Sequence, residues 1–418
     1  MNSEASTKYG SVLDYILIVS YPILSLYEGI PGISALNLGN LLLLLHILYR
    51  IIKEQVKLGF NKELLVFFLP LLILNTLSGL ISFTDYNLII VLNNNFGLIV
   101  FTIFCLYFCA PNRIYMSKLY PVLKIVAILS TAFLMIQVIF YHFFDKVILG
   151  QVPFMKSLEG GFLSMTRGRP TSFFYEPAHY SIFIAPVYVL SLLKENYYLA
   201  FFLAVGLILS TSSFGFFIAV IIPFLVLTSS LVNGKKRTRG MFFFFIFLII
   251  TSIFSLLFIE YYYPSIIIKL TEDISFSAIA ENPRLFGNSF VFEYFDFSQI
   301  LIGVGLNRVQ DFLLINNIIG YEDLFSNYNY ANSFLFSIFS FGIIGFIIFT
   351  SFLVFLLKKV KGEYRTISIV FFVVLFTDQI IFNRHFLYLL VIIYSTLNEE
   401  NTMVENISHN VRIDERKR

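Results

Sequence analysis

The sequence predicts an all-α integral membrane protein, a polytopic helical bundle of about 10–12 transmembrane spans with two large external loops. Three observations carry that expectation. Apolar residues make up 58% of the 418-residue chain and charged residues only 13%, about half the charged share of a water-soluble domain. The mean hydropathy is +0.81. The apolar residues are gathered into runs near the length that crosses about 30 Å of hydrocarbon at about 1.5 Å per residue. With so little polar surface to cover a core, lipid is the solvent this chain requires, and a water-soluble fold is excluded.

The run near 12–30 follows the polar stretch Met1–Gly10 and lacks a small-residue cleavage site, so it is expected to be retained as a first helix that also targets the chain. Runs near 36–49, 64–82 and 88–109 come next. Inside the last of these, Cys105 and Cys109 stand one helical turn apart in apolar sequence, which reads as two buried thiols rather than a disulfide or a metal site. The runs near 119–142 and 173–193 flank a long connection. Those near 198–211 and 214–232 follow, and the stretch from Tyr197 to Val232 also fits one span plus a re-entrant segment. The remaining runs lie near 241–260, 333–357, 366–382 and 386–397. The runs at 36–49, 198–211 and 386–397 are short for a full crossing. No sustained internal repeat, and no inverted pair of the kind many transporters carry, is visible.

Charge orders these spans. With the N-terminus inside, most of the 29 basic residues fall on inward segments, and only Lys146, Lys156, Arg167, Arg169, Lys269, Arg284, Arg308 and Arg384 fall outside. The positive-inside rule then places both termini in the cytoplasm and makes the number of spans even. The chain reads as a single integral membrane domain over 1–418, with an external loop at about 145–172, a larger one at about 261–332 and a cytoplasmic C-terminal tail at 398–418. Long loops between spans tend to carry function, and the second of these is expected to hold short interfacial helices. The small net charge of +3 gives no reason to expect a nucleic-acid partner.

The segment from Arg167 to His179 gathers ionisable groups at the entrance to the sixth span. Pro177 suits a first helical turn, where its missing N–H is not needed. Glu176 then sits at the cap, and His179, three residues on, shares its face. A carboxylate and an imidazole placed this way can exchange protons with a substrate hydroxyl. The plainer alternative is a capping carboxylate with arginines that snorkel to headgroups. In the second loop, Arg284 within Glu281-Asn-Pro-Arg284 and Arg308 after Gly303-Val304-Gly305 are further cations. Paired with Arg169, Arg284 offers two forked, permanently charged donors suited to a diphosphate. Each such contact at about 4 Å is worth about 4 kcal/mol at an effective dielectric of about 20, before desolvation, so no metal is needed. Arg308 reads also as a solvated loop charge, and Arg384, in the turn Asn383-Arg384-His385, as an interfacial anchor that could serve as a third cation. Ser210-Thr211-Ser212-Ser213 reads as satisfying backbone groups at a break between helices.

These residues resemble a family. Arg169-Pro-Thr-Ser-Phe-Phe-Tyr-Glu176-Pro177 is similar to the signature that bacterial O-antigen and capsule repeat-unit polymerases of the Wzy type carry at the end of a long external loop. Arg284 is similar in placement to that family's other arginine. Gly303-Val304-Gly305, Asn332-Ser-Phe-Leu335 and Phe341-Gly342-Ile-Ile-Gly345 resemble the wider polymerase and ligase superfamily pattern ahead of a late span. O-antigen ligases have a His immediately before that Asn, where this chain has Ala331, so the polymerase is the closer likeness.

The resemblance implies a polysaccharide polymerase, an enzyme of the bacterial cytoplasmic (inner) membrane with its site on the periplasmic or outer face. Its partners would be membrane lipids and undecaprenyl-diphosphate-linked glycan, with a chain-length regulator left open, and it would need no cofactor and no metal. The growing glycan would pass from its lipid carrier onto a new lipid-linked repeat unit. Arg169, Arg284, Arg167, Arg308 and Arg384 would bind diphosphate, with Glu176 and His179 catalytic. Two other functions stay open: an O-antigen ligase-type transferase, and a flippase or transporter that only binds the anionic lipid-linked substrate.

Overall fold

The computed structural model describes residues 10–30, 34–54, 61–81, 88–158, 168–232, 289–319 and 331–416, with 240, 242, 244–246, 248–250 and 253. Arg167 and Arg284 lie outside the described residues, as does most of the run near 241–260. Helices dominate, and among the described residues the sole β-type pairing is an isolated bridge between Tyr27 and Ser157.

Among the described residues, helices with both ends defined are α1 (Val12–Leu24), α2 (Leu38–Glu54), α3 (Lys62–Ile81), α4 (Leu88–Phe108), α5 (Met116–Phe144), α6 (Pro177–Leu193), α7 (Tyr197–Leu209) and α8 (Ser213–Val232). After them come two short helices, α9 (Phe297–Ile302) and α10 (Val309–Ile315), and then α11 (Ser333–Lys359), α12 (Arg365–Thr377) and α13 (Arg384–Arg416). Among the described residues, four helical stretches are long and apolar enough to cross a membrane: 62–81, 91–108, 116–144 and 333–359. Shorter apolar helices accompany them, including α1, α6, α7 and α12. The result is a membrane-type helical bundle.

Several apolar runs give shorter or longer helices than hydropathy alone suggests, each for a local reason. α1 stops at Leu24, and the chain turns so that Leu26 and Tyr27 form a small core of their own with Tyr175. α12 stops at Thr377 because Asp378 is extended and its carbonyl accepts from both the N–H and the hydroxyl of Ser333. The stretch from Tyr197 to Val232 is two helices joined by a buried turn, Ser210-Thr211-Ser212. α7, with 13 residues, reaches about 20 Å, short of a full crossing. The last helix runs past the apolar stretch at 386–397 and continues to Arg416.

At the centre stands α6, in which every side chain from Tyr180 to Leu193 is buried. A helix apolar all round belongs inside a bundle, and α5, α7, α8, α12 and α13 pack around it. A second layer joins α3 to α4 and α11, with Phe67 stacked on Phe352 at 4.1 Å between ring centroids. In lipid, such packing is favoured by close van der Waals contact rather than by escape from water.

α11 is broken inside its apolar stretch. Gly342 has φ 65° and ψ −168°, a region essentially restricted to glycine. The break takes the carbonyls of Phe339 and Ser340 out of the helical ladder, and the N–H groups of Val304 and Gly305 donate to them at 2.9 and 3.0 Å. Irregular backbone at membrane depth persists only where protein satisfies it, and here the Gly303-Val304-Gly305 segment does so. A Cβ on Gly303 would stand 2.4 Å from the Phe341 backbone nitrogen, and one on Gly342 would stand 2.2 Å from the Leu301 carbonyl oxygen. The two glycine motifs are halves of one joint.

Candidate functional site

One side chain makes four of the bonds that hold the segment before α6. Gln137, buried on α5, accepts from the N–H groups of Thr171 and Ser172 at 3.2 and 2.7 Å. Its amide nitrogen donates to the carbonyls of Ile148 and Ser172. The Ser172 hydroxyl donates to the Ser130 carbonyl at 2.7 Å, and the Tyr175 hydroxyl donates to the Leu26 carbonyl. Phe173 stacks on Phe133 of α5 at 4.6 Å. The conformation is thus fixed from three sides before the first turn of α6.

Upon this frame sit the residues that the sequence singles out. Arg169 donates through Nη2 to the Thr211 carbonyl at 3.3 Å, in the turn between α7 and α8. That turn closes itself as the sequence suggests: Ser210 donates to Leu207, and Ser212 accepts from the Gly215 N–H. Glu176 is the N-cap residue of α6, makes no side-chain cap bond, and is followed by Pro177 at the helix start. His179 follows in the first turn of α6, its ring 5.0 Å from that of His385. Both the Glu176 and His179 side chains are partly exposed.

α13 brings the partners. Asn383 caps it through its amide oxygen, which accepts from the N–H groups of His385 and Phe386. Arg384 lies over the Tyr175 ring, its Cζ 5.8 Å from the centroid. His385 is fully buried, 6.2 Å from the Phe174 ring, and neither of its nitrogens has a hydrogen-bond partner among the described residues. The first turns of α6 and α13 therefore meet through two pairs, Tyr175 with Arg384 and His179 with His385.

Arg384 also opens onto a cavity of about 270 Å³ at the same end of the bundle. Its wall is rich in carboxamides: Asn37 and Asn40 at the start of α2, Asn93 and Asn94 on α4, Asn307, and Asn383. Tyr21, Phe101 and Phe382 supply aromatic surface. Part of this wall is structural. Asn40 accepts from the Tyr21 hydroxyl at 2.8 Å, and Asn94 donates to the Leu306 carbonyl at 2.8 Å. The Leu306 N–H donates in turn to Asn75, whose amide reaches Asn95 at 2.7 Å. A ladder of in-span carboxamides thus seats the 303–308 segment against α3 and α4.

Arg308 ends up elsewhere. It is 0% exposed, and a methyl group added at Gly79 of α3 would lie 3.2 Å from both of its Nη atoms. Its guanidinium therefore sits inside the bundle, beneath the segment that lines the cavity. Asp311, one turn into α10, is half-buried, and desolvation pushes its carboxyl above the ordinary value while the Arg308 charge opposes the shift.

The sequence puts Arg167, Arg169, Arg284, Arg308 and Arg384 on one side of the membrane with Glu176 and His179. The structure brings Arg169, Glu176, His179 and Arg384 to the starts of α6 and α13 and the adjoining turn, buries Arg308 inside the bundle, and does not describe Arg167 or Arg284. The sequence gives no role to Gln137, to His385 or to the asparagine wall. A signal for the last was present, since Asn93-Asn94-Asn95 interrupts an apolar run and polar groups inside spans are functional by default. Among the described residues, no group of three His, Cys, Asp or Glu could hold a metal ion.

No protein-family model matches the chain, and no curated protein matches it.

Proposed function

We propose that this chain is a membrane glycosyltransferase that polymerises polyprenyl-diphosphate-linked oligosaccharide units on the outer face of a bacterial cytoplasmic membrane. One observation carries the reading. The entrance of α6, with Glu176 and His179, meets the start of α13, where His385 packs against His179 and Arg384 lines a carboxamide-rich cavity. An acid/base pair, a fixed cation and a polar hollow at one end of an apolar bundle suit a reaction between sugars whose carriers stay in lipid.

In that reaction the bond between the anomeric carbon of the donor glycan and its diphosphate breaks, and a bond to an acceptor hydroxyl forms. The acceptor proton passes to Glu176 or, through the imidazole, to His179. Negative charge grows on the departing polyprenyl diphosphate, and Arg384 and Arg169 stabilise it more in the transition state than in the ground state. Arg284 and Arg167 would add to that cationic field. The resemblance of the segment from Arg169 to Pro177 to repeat-unit polymerases supports the same reading.

The test is the surface glycan pattern of cells whose only copy of the chain is Arg384→Ala or Arg169→Ala. The expected result is loss of long polymer with single repeat units still exported, and a fall of about 100-fold or more in transfer by the purified full-length protein, the size seen when a stabilising donor is removed. An unchanged length distribution in both variants would overturn the reading. Loss of all exported units would point to a flippase, and polymer left on its lipid carrier would point to a ligase.

A further inference from the structure

We infer that the asparagine-walled cavity is a carbohydrate cup that takes an uncharged sugar ring, with the anionic group next to that ring facing Arg384. The inference rests on the proposed transfer for its biological meaning but not for its test.

The argument begins with the kind of polar group present. Asn37, Asn93, Asn94, Asn307 and Asn383 come from four separated parts of the chain and converge on one hollow. Each carboxamide offers two N–H donors and a carbonyl acceptor on one flat group. A sugar hydroxyl is likewise donor and acceptor at once, so a wall of carboxamides can satisfy a ring of hydroxyls whichever way each one turns. Neither an inorganic cation nor a bare phosphate needs such a wall. No carboxylate lines the cavity among the described residues, and Arg384 is its one charged side chain among them. A cationic ligand is therefore disfavoured, and a neutral body with one anionic end fits.

Second, part of the wall has no work to do within the fold. The amides of Asn40 and Asn94 are engaged with Tyr21, Ala35 and Leu306, and that of Asn383 caps α13. Asn93 and Asn307 make no side-chain hydrogen bond among the described residues, and Asn307 is exposed. Carboxamides left unengaged at the face of a hollow can donate to and accept from a polar ligand that enters it. Phe101 and Phe382 also line the hollow and give it an apolar patch against which the C–H face of a pyranose can rest.

Third, place and charge agree. The first turn of α13 puts Asn383 and Arg384 on the same rim. A lipid-linked sugar carries its diphosphate on the ring's anomeric carbon, so a ring in the cup would present the diphosphate at this rim. The cup would then read the sugar adjoining the carrier and set which repeat unit is accepted.

The experiment uses the full-length protein in phosphatidylcholine nanodiscs, with saturation-transfer NMR on methyl glycosides of glucose, galactose, rhamnose and N-acetylglucosamine, and separately on farnesyl diphosphate. The expected result is transfer to at least one glycoside, weakened roughly tenfold or more in a double variant Asn93→Ala and Asn307→Ala, the size of losing two hydrogen bonds. Farnesyl diphosphate binding should persist in that variant and fall in Arg384→Gln. Transfer to none of the glycosides, or equal transfer in parent and double variant, would overturn the inference. So would loss of the glycoside signal when phosphatidylglycerol replaces phosphatidylcholine, which would assign the cup to a lipid headgroup. Because neither asparagine side chain bonds to another described residue, an unchanged melting temperature is expected. Sugar binding that survives while the arginine variants leave polymer length untouched would sink the transferase reading and spare the cup; the reverse pattern would do the opposite.

Discussion

Gln137 shows how much one buried amide can govern. Its carbonyl oxygen takes two backbone N–H groups, and its nitrogen serves two carbonyls, all in a segment with no helix to satisfy them. A buried N–H left without a partner costs about 1–3 kcal/mol. Gln137→Leu keeps the volume and removes all four bonds, so it should destabilise the protein by about 2 kcal/mol or more. The expected measurement is a lowered midpoint in thermal unfolding of the detergent-solubilised chain followed by circular dichroism, and an unchanged midpoint would count against Gln137 as the clamp of this segment. Nothing in the sequence marked this residue, because a lone Gln in an apolar run carries no pattern. Glu176 and His179 were legible for the opposite reason: they stand three apart beside a proline, and that spacing alone gives them one helix turn. The meeting of His179 with His385 was not, since it joins positions more than two hundred residues apart that only packing brings together.

At the scale of elements, hydropathy located the helices but not the points where they break. Apolar runs fixed where α3, α4, α5 and α11 lie, because a chain in lipid must bond its own backbone and can do so only as helix. The same hydropathy is blind to the break in α11, since Gly342 differs from its neighbours by conformation rather than polarity. Once seen, the break explains why two glycine motifs about forty residues apart occur together: one releases carbonyls and the other supplies N–H groups to receive them. Gly342→Ala adds a Cβ 2.2 Å from the Leu301 carbonyl oxygen at a φ of 65°. Backbone strain of this kind alone costs about 1–3 kcal/mol, and the clash must be relieved by moving α9 away. The expected outcome is faster proteolysis within 289–319 together with a lower melting temperature. A variant as resistant and as stable as the parent would show that the joint does not depend on glycine. Because the joint also carries Leu306 and Asn307 to the cavity wall, sugar binding should weaken in the same variant.

For the whole molecule, the two ends of the bundle are held by different chemistry. The end with the cavity uses carboxamides, ring contacts and freed carbonyls, with an exposed ion pair between Lys156 and Glu28 at 2.8 Å. At the other end ionic bonds tie the helices together, and they differ in exposure. Asp14, fully buried in the first turn of α1, lies 2.8 Å from His46 Nε2, accepts from the Tyr107 hydroxyl at 3.0 Å and lies 3.8 Å from the Arg50 guanidinium. It thereby ties α1 to α2 and α4. Glu63 of α3 receives the Lys359 ammonium at 2.6 Å and the Tyr394 hydroxyl at 3.3 Å, tying α11 and α13 to it. The side chains of Lys359 and Glu63 are 31% and 36% exposed, so solvent screens them. Removing the acid from a buried charge cluster costs about 3–5 kcal/mol because a cation loses its counter-charge, whereas an exposed pair is worth about 0–1 kcal/mol. Asp14→Ala should therefore lower stability several times more than Lys359→Met, although the lysine makes the shorter contact. Unfolding of both variants in mixed micelles of increasing dodecyl sulfate content would check the order. Equal losses would mean that water reaches Asp14 as freely as Glu63, and the tight closure of the bundle around α1, α2 and α4 would have to be abandoned.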